Sequence, residues 1–191
     1  MNIANYYRHE QYVLDASSVI NFYGSGYMSE IFRGSPVQFS VSSYVKEREA
    51  RTVLAAPDNN GRRQCIPIHL EDLKSDGSVD LIDDLSTAVA NNVIVLGSSG
   101  IKGMGEKISA ALAMDRDWGL VLDDKRATAK LKPFLPHIQI LTTFDVLKFW
   151  ALRPGVSHRI LREVFCNIRI RGNYCIGKDH PHFNWVKGFG G

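Results

Sequence analysis

Acidic side chains stand where several predicted elements begin or end. Asp15 ends one short apolar run, and Asp123 and Asp124 end another. Because the carboxyl ends of parallel strands open into one crevice, we expect these carboxylates to meet there. Glu47 and Glu106 lie in helical segments between the two runs. Like charges in one crevice repel unless a proton or a cation neutralises them, so the pattern predicts a divalent metal, and all-oxygen ligands suit Mg2+ or Mn2+.

Each of these carboxylates also has a purely structural explanation when it is taken alone. Asp15 and Asp124 can cap the helices that follow them, and the dipole of a helix favours Glu106 in its first turn. Glu47 can be one more charge on a solvated helix face. Helix caps alone do not require acidic residues from separate segments to converge on one sheet edge, so the conjunction favours a shared site.

Short strand-like runs alternate with helical patterns along most of the chain. The predicted strands are residues 11–15, 37–41, 65–70, 120–122 and 138–141. The predicted helices are residues 17–23, 43–56, 79–90, 106–118, 125–131, 143–151 and 158–165. Residues 165–175 alternate basic and apolar side chains, which predicts an edge strand or a hairpin. The fold class is therefore α/β: a three-layer α/β/α sandwich with a central parallel sheet, plus a C-terminal extension.

Charge divides the chain into two predicted parts, residues 1–152 and the basic, aromatic extension 153–191. From residue 151 onward there are seven Lys/Arg against two Asp/Glu, although the net charge of the whole chain is only +3. This excess hints at a polyanionic partner, and a solvated basic tail is the alternative.

The sequence gives no sign of export or of a membrane anchor. Its first eleven residues lack the apolar stretch of a secretory signal, and no apolar run approaches the ~20 residues of a membrane span. Three cysteines are an odd number, which favours free thiols. We therefore expect a cytoplasmic protein with no membrane association.

Four segments of the chain resemble the PIN-domain nuclease family, in particular the VapC-like toxins of bacterial toxin–antitoxin pairs. These segments are LDASSVI at residues 14–20, VSSYVKE at 41–47, GEKISAALA at 105–113 and LVLDDKRA at 120–127. Their order and spacing cover about residues 11–145. The resemblance implies a PIN-like sandwich for residues 1–152 and a nuclease site built from carboxylates.

The resemblance also implies roles for individual residues. It gives a catalytic quartet of carboxylates: Asp15, Glu47, Glu106 and Asp124. Asp15, Glu106 and Asp124 would hold Mg2+ or Mn2+, with Asp123 as a further ligand or a neighbour of the site. Ser17 matches the small polar residue that supports the metal site beside the first aspartate. Glu49 competes with Glu47 for this role, although two residues apart on a helix they face different ways.

The function implied is a metal-dependent endoribonuclease that hydrolyses RNA and is restrained by an antitoxin protein. Basic residues near the quartet are candidate phosphate contacts: Lys46, Arg48, Lys125 and Arg126. A homodimer is implied by the resemblance alone. Two alternatives stay open, a non-catalytic module that binds RNA or protein and a structure-selective DNA nuclease.

Overall fold

The computed structural model describes residues 6–83 and 86–190. The strands are β1 (Gln11–Leu14), β2 (Gln38–Ser42), β3 (Thr52–Leu54), β4 (Cys65–Pro67), β5 (Asp80–Ile82), β6 (Gly119–Val121) and β7 (Ile140–Leu141). The α-helices are α1 (Ala16–Ser25), α2 (Met28–Arg33), α3 (Leu70–Ser75), α4 (Thr87–Gly97), α5 (Met104–Arg116), α6 (Lys125–Leu131), α7 (Thr143–Trp150), α8 (His158–Arg171) and α9 (Phe183–Lys187). A π-helix covers Val45–Glu49. No helix within the described ranges has the length and apolar character to cross a membrane.

The central sheet has five parallel strands in the order β5-β2-β1-β6-β7. In its middle, Val13 of β1 pairs with Ser40 of β2 on one side and with Leu120 of β6 on the other. From β1 the chain adds β2 and then β5 on one side, and it later adds β6 and β7 on the other side. Such a sheet has its topological switch point between β1 and β6, where ligands of open α/β folds bind outside the carboxyl ends of the strands.

Helices cover both faces of this sheet. Side chains alternate along a strand, so Tyr12 and Leu14 join one apolar cluster while Val13 joins another. The first cluster includes buried side chains from α1, α2, α7 and α8, and the second includes those of α4, α5 and α6. A five-stranded parallel sheet flanked by helices confirms the predicted α/β class, in an arrangement compatible with the predicted three-layer sandwich.

Two predicted helices are wrong in part. The helix expected over residues 43–56 ends as the π-helix at Glu49, and the chain then forms β3, which pairs with β4 in a separate antiparallel ribbon. The helix expected over residues 79–90 begins instead as β5, and α4 starts at Thr87; residues 84–85 of that prediction lie outside the described residues. Short apolar runs fit both periods, so periodicity alone does not separate strand from helix.

The C-terminal part is helical where an edge strand or hairpin was predicted. Helix α8 continues to Arg171 because apolar residues recur at helical spacing on its buried face: Leu161, Val164, Phe165 and Ile168. This face joins the same cluster as α1 and α7, and Val186 of α9 joins it too. Residues from both predicted parts of the chain therefore share one core.

Candidate active site

Asp15 lies at the switch point of the sheet, between β1 and α1. Its backbone N–H donates to the carbonyl of Val121 in β6 at 3.1 Å, which fixes the end of β1 against its neighbour. Its carboxylate caps α1, because Oδ2 accepts from the Ser17 amide at 3.3 Å and from the Ser17 hydroxyl at 2.8 Å. The side chain is only 4% exposed, and Oδ1 has no hydrogen-bond partner among the described residues. One buried carboxylate oxygen is thus left for a ligand to satisfy.

Glu106 is the carboxylate on which the charges of three other segments act. It lies half-buried in the first turn of α5, and burial raises the pKa of its carboxyl group. The charges of Asp15, Asp124 and Glu49, in that order, raise this pKa further. Burial also raises the pKa of Asp15, and Glu49 adds to that shift. We call these four residues, Asp15, Glu49, Glu106 and Asp124, the acidic cluster.

Glu49 takes the place in this cluster that the resemblance gave to Glu47. The Ala50 amide donates to the carbonyl of Val45 at 2.8 Å, a five-residue step that makes this turn a π-helix. Glu49 then accepts from the Gly105 amide at 2.9 Å, which is one of the unpaired N–H groups at the start of α5. Glu47 is exposed, and its charge acts on Lys46 instead. The structure therefore favours Glu49 over Glu47.

Gly105 makes this contact with Glu49 sterically feasible. A Cβ at this position would lie 1.9 Å from Oε2 of Glu49, far inside contact distance. An acidic side chain can approach the start of α5 this closely only because residue 105 lacks a side chain.

Asp124 caps the next helix and leaves part of its carboxylate free. Oδ1 accepts from the Arg126 and Ala127 amides at 2.7 and 2.9 Å, so both capping bonds use the same oxygen. The residue is exposed and lines a groove together with Glu106. Asp124 can therefore cap α6 and still offer an oxygen to a cation.

Asp123 has a different role, although it is the adjacent residue. Its Oδ1 accepts from the Thr143 amide at 2.7 Å, and its Oδ2 accepts from the Thr143 hydroxyl, the Asn21 amide group and the Ser18 hydroxyl at 2.6, 2.8 and 3.4 Å. Burial raises the pKa of Asp123, while these donors oppose the rise. Because the protein already fills both oxygens, the structure argues against Asp123 as a metal ligand and assigns it to joining α1, β6 and α7.

A groove beside the acidic cluster brings cations next to the carboxylates. It has a volume of about 220 Å³, and Glu106 and Asp124 lie in its wall. Basic side chains line the same groove: Lys102, Arg126 and Lys130. Opposite charges side by side suit a phosphodiester, whose phosphates pair with the cations while the carboxylates stay free to hold a metal.

The four predicted phosphate contacts divide into two groups. Lys46 forms an ion pair with Glu71 at 2.5 Å, and Lys125 forms one with Asp179. Arg48 and Arg126 are exposed, and only Arg126 lines the groove. Lys102 and Lys130 line the groove, whereas Lys46 does not.

The acidic cluster fits a hard divalent cation by the chemistry of its donors. Carboxylate oxygens are the ligands that Mg2+ and Mn2+ prefer, and Asp15 Oδ1 is buried without a partner among the described residues. Over residues 6–83 and 86–190, however, no three His, Cys, Asp or Glu side chains are arranged as they stand to hold a metal ion. Binding would therefore require the carboxylates to close around the cation, which also relieves their mutual repulsion.

Several residues around this site were not predicted from the sequence. The main examples are Thr143, Asn21 and Ser18, whereas Glu49 was expected only as a competitor of Glu47. Ser18 and Asn21 stand three residues apart on α1 and are buried, which places them on one helix face among apolar neighbours. Polar residues at this spacing within an apolar stripe are a signal for a buried hydrogen-bond partner.

The chain matches no protein-family model, and comparisons with curated proteins and with solved structures give no match either. The resemblance to PIN-domain nucleases therefore depends on the four sequence segments alone. The function of the chain has to be inferred from the geometry of the acidic cluster and its groove.

Proposed function

We propose that this protein is a Mg2+- or Mn2+-dependent endoribonuclease that hydrolyses RNA phosphodiester bonds at the acidic cluster. The observation that carries the proposal is the meeting of carboxylates from separate segments at the switch point of a parallel sheet. Asp15 keeps a buried oxygen without a partner among the described residues, and Glu49 binds the Gly105 amide at the start of α5. Glu106 and Asp124 line one groove. Structural caps do not need four carboxylates from four segments to face one another. A cation site does, because a cation makes such proximity favourable while the carboxylates stay ionised.

Asp15, Glu106 and Asp124 would hold the cation in this proposal. When bound, the ion supplies charge neutralisation at the phosphate and lowers the pKa of a water molecule. Ser17 keeps one oxygen of Asp15 fixed through its hydroxyl, so that the other oxygen stays directed away from the cap. Glu49, anchored on the Gly105 amide, would orient the attacking water as a hydrogen-bond acceptor.

The groove cations define where the nucleic acid backbone would run. Lys102, Arg126 and Lys130 would bind the phosphates on either side of the scissile bond, next to Glu106 and Asp124. A binding site of this kind reads the backbone and carries little sequence information. The choice of RNA as the substrate is supported by the family resemblance.

Cleavage of a labelled single-stranded RNA tests the proposal directly. We expect cleavage with Mg2+ or Mn2+, none in excess EDTA, and products with a 5′-phosphate and a 3′-hydroxyl. Asp15→Asn and Asp124→Asn should each abolish cleavage, because asparagine can cap a helix but cannot neutralise a cation. The matched control is Asp115→Asn, an exposed carboxylate on α5, which should leave the rate unchanged.

The same assay separates the two alternatives. Cleavage of a branched DNA in preference to RNA would indicate the structure-selective DNA nuclease. RNA binding without cleavage under any divalent cation would indicate the non-catalytic module. Cleavage that persists in EDTA or in both cluster variants would contradict the proposal itself.

A toxin role, a cytoplasmic location, an antitoxin partner and a homodimer complete the proposal, and the family resemblance supports them. Growth arrest on expression, relieved by a co-expressed partner from a neighbouring gene, is the expected outcome for a toxin. The same arrest by the Asp15→Asn variant would contradict a toxin role based on cleavage. Light scattering that gives a monomer at micromolar concentration would remove the homodimer.

A further inference from the structure

A second cavity lies directly beside the acidic cluster, between the start of α6 and the segment that joins α8 to α9. Its volume is about 350 Å³, within the ~300–1,000 Å³ that ligand pockets commonly have. Its walls include the rings of Tyr174 and His180 and the apolar side chains of Leu122 and Pro181. Polar groups come from Lys125 and Thr128. We call residues 172–182, which supply half of the lining residues, the C-terminal strap.

Phe144 packs against the two rings of the C-terminal strap, Tyr174 and His180. Tyr174 stacks on Phe144 with ring centroids 5.8 Å apart and planes 26° apart. His180 meets the same ring edge-on at 5.7 Å and 66°. Because Phe144 is only 2% exposed, it belongs to the core and holds both rings as a preformed platform.

The imidazole of His180 carries an unsatisfied donor. Its Nδ1 accepts from the His182 amide at 3.1 Å, so the proton of a neutral ring sits on Nε2. Burial lowers the pKa of His180, which favours the neutral ring. Nε2 is buried and has no partner among the described residues. A ligand with a carbonyl oxygen or a ring nitrogen offers the acceptor that this donor lacks.

Adjacent residues of the chain line this cavity and the groove of the acidic cluster. Asp123 lines the cavity, and Asp124 lines the groove. Burial raises the pKa of Tyr174 to about 12, and the charges of Asp123 and Asp124 add to the rise. A single nucleotide chain can therefore place a phosphate in the groove and the neighbouring base in the cavity.

We propose that this cavity binds one nucleobase of the RNA next to the scissile phosphate, stacked on the strap rings and hydrogen-bonded by His180. Stacking is the common way in which proteins hold unpaired bases, whereas the acceptor pattern of the base gives the preference. The C-terminal strap thereby selects the cleavage position. This inference rests on the proposed nuclease function and names the recognition element that the acidic cluster itself lacks.

The test is a binding scan with short single-stranded RNAs in EDTA, so that nothing is cleaved. Each RNA carries one abasic nucleotide, moved stepwise along the strand, and fluorescence anisotropy measures its affinity for the full chain. We expect one position at which loss of the base weakens binding by about tenfold, the size of one stacking contact. That penalty should vanish in Tyr174→Leu and persist in Tyr174→Phe, which keeps the ring.

Control variants separate base recognition from a loss of folding. Tyr23→Leu alters a half-buried aromatic ring far along α1 and should keep the penalty. His180→Gln keeps a donor without the ring edge and should reduce the penalty while thermal unfolding stays cooperative. An abasic penalty that is equal in wild type, Tyr174→Leu and His180→Gln overturns the inference, as does the absence of any position-specific penalty.

The outcomes also distinguish this inference from the nuclease proposal. Cleavage that depends on metal and on Asp15, without a position-specific abasic penalty, removes the base site and leaves the nuclease standing. A penalty that depends on Tyr174, without cleavage under any divalent cation, removes the nuclease and leaves a base-binding cavity.

Discussion

Asp123 and Asp15 of the acidic cluster are buried carboxylates at the same edge of the sheet. They differ in whether the protein itself supplies hydrogen-bond donors to both oxygens. Asp123 accepts four hydrogen bonds from three residues, and the protein itself satisfies its charge. Asp15 faces other carboxylates and keeps one buried oxygen without a partner among the described residues. A satisfied carboxylate stabilises the fold, whereas an unsatisfied one among like charges costs stability until a proton or a cation neutralises it. The comparison therefore indicates a structural role for Asp123 and supports the proposed ligand-binding role of Asp15.

The largest expected effect is a loss of unfolding free energy when Asp123 is replaced. Asp123→Ala should lower the free energy of unfolding by about 3 kcal/mol or more, because it leaves the donors of Thr143, Asn21 and Ser18 without an acceptor. Asp124→Ala should cost only about 1 kcal/mol, the value of a helix cap. Urea denaturation of both variants measures the difference. Equal losses for the two aspartates would break the comparison.

The next effect distinguishes the two glutamates of the π-helix. Glu49→Gln should reduce RNA cleavage at least about tenfold, because it removes a charge that faces Asp15 and Glu106. Glu47→Gln is the matched control, two residues away and exposed, and should leave the rate unchanged. Steady-state cleavage rates under saturating Mn2+ decide between them. A loss confined to Glu47→Gln would restore the assignment that the family resemblance gave.

A glycine substitution tests the same contact from the other side. Gly105→Ala would place a methyl group 1.9 Å from the present position of Glu49 Oε2, so the flexible carboxylate must move away. We expect about tenfold slower cleavage, with the unfolding free energy changed by no more than about 1 kcal/mol.

Gly97→Ala at the end of α4 is its control, since no described residue lies within 4 Å of the added methyl group. This variant should cleave RNA at the wild-type rate. Unchanged cleavage by Gly105→Ala would mean that Glu49 does not contribute from its observed position.

The smallest effect is a gain in stability without metal. Glu106→Gln removes a half-buried charge that faces three others, so at pH 7 in EDTA it should raise the unfolding free energy by up to about 1 kcal/mol. The folded-state pKa of Glu106 lies above its ordinary value of 4.5, so the wild type is penalised above that raised pKa. The advantage of the variant should disappear as the pH falls through the interval towards 4.5.

Thermal unfolding across this pH range, with and without Mn2+, measures the effect of Glu106→Gln. Saturating Mn2+ should reverse the order, because binding to the folded state stabilises the wild type more. Asp115→Asn should show neither change. A Glu106→Gln variant that is less stable than wild type in EDTA at pH 7 would contradict the inferred repulsion.

The central elements of the fold could be predicted because their sequence signals agree at every level. Residues 12–14 and 120–122 are short apolar runs that end in aspartate, and both Asp15 and Asp124 are good N-caps. Strand β5 and helix α8 were harder. Residues 165–171 alternate in a way that suits a strand, but their apolar members also continue the helical spacing from Leu161, and packing against α1 selects the helix.

The choice between Glu47 and Glu49 depended on a π-helical turn, which the periodicity of apolar residues does not predict. An α-helical turn places the two on different faces without saying which one faces inward. The five-residue step from Val45 to Ala50 and the missing side chain of Gly105 decide it. The role of Asp123 depended likewise on donors distant in sequence, Asn21 and Thr143.

Diffraction from crystals soaked in Mn2+, with an anomalous difference map, tests the central claim most directly. The account predicts a peak in coordination contact with carboxylate oxygens of Asp15 and Glu106, and no peak at Asp123. A map at saturating Mn2+ that lacks a peak at the acidic cluster, or that places the ion elsewhere on the molecule, would contradict it.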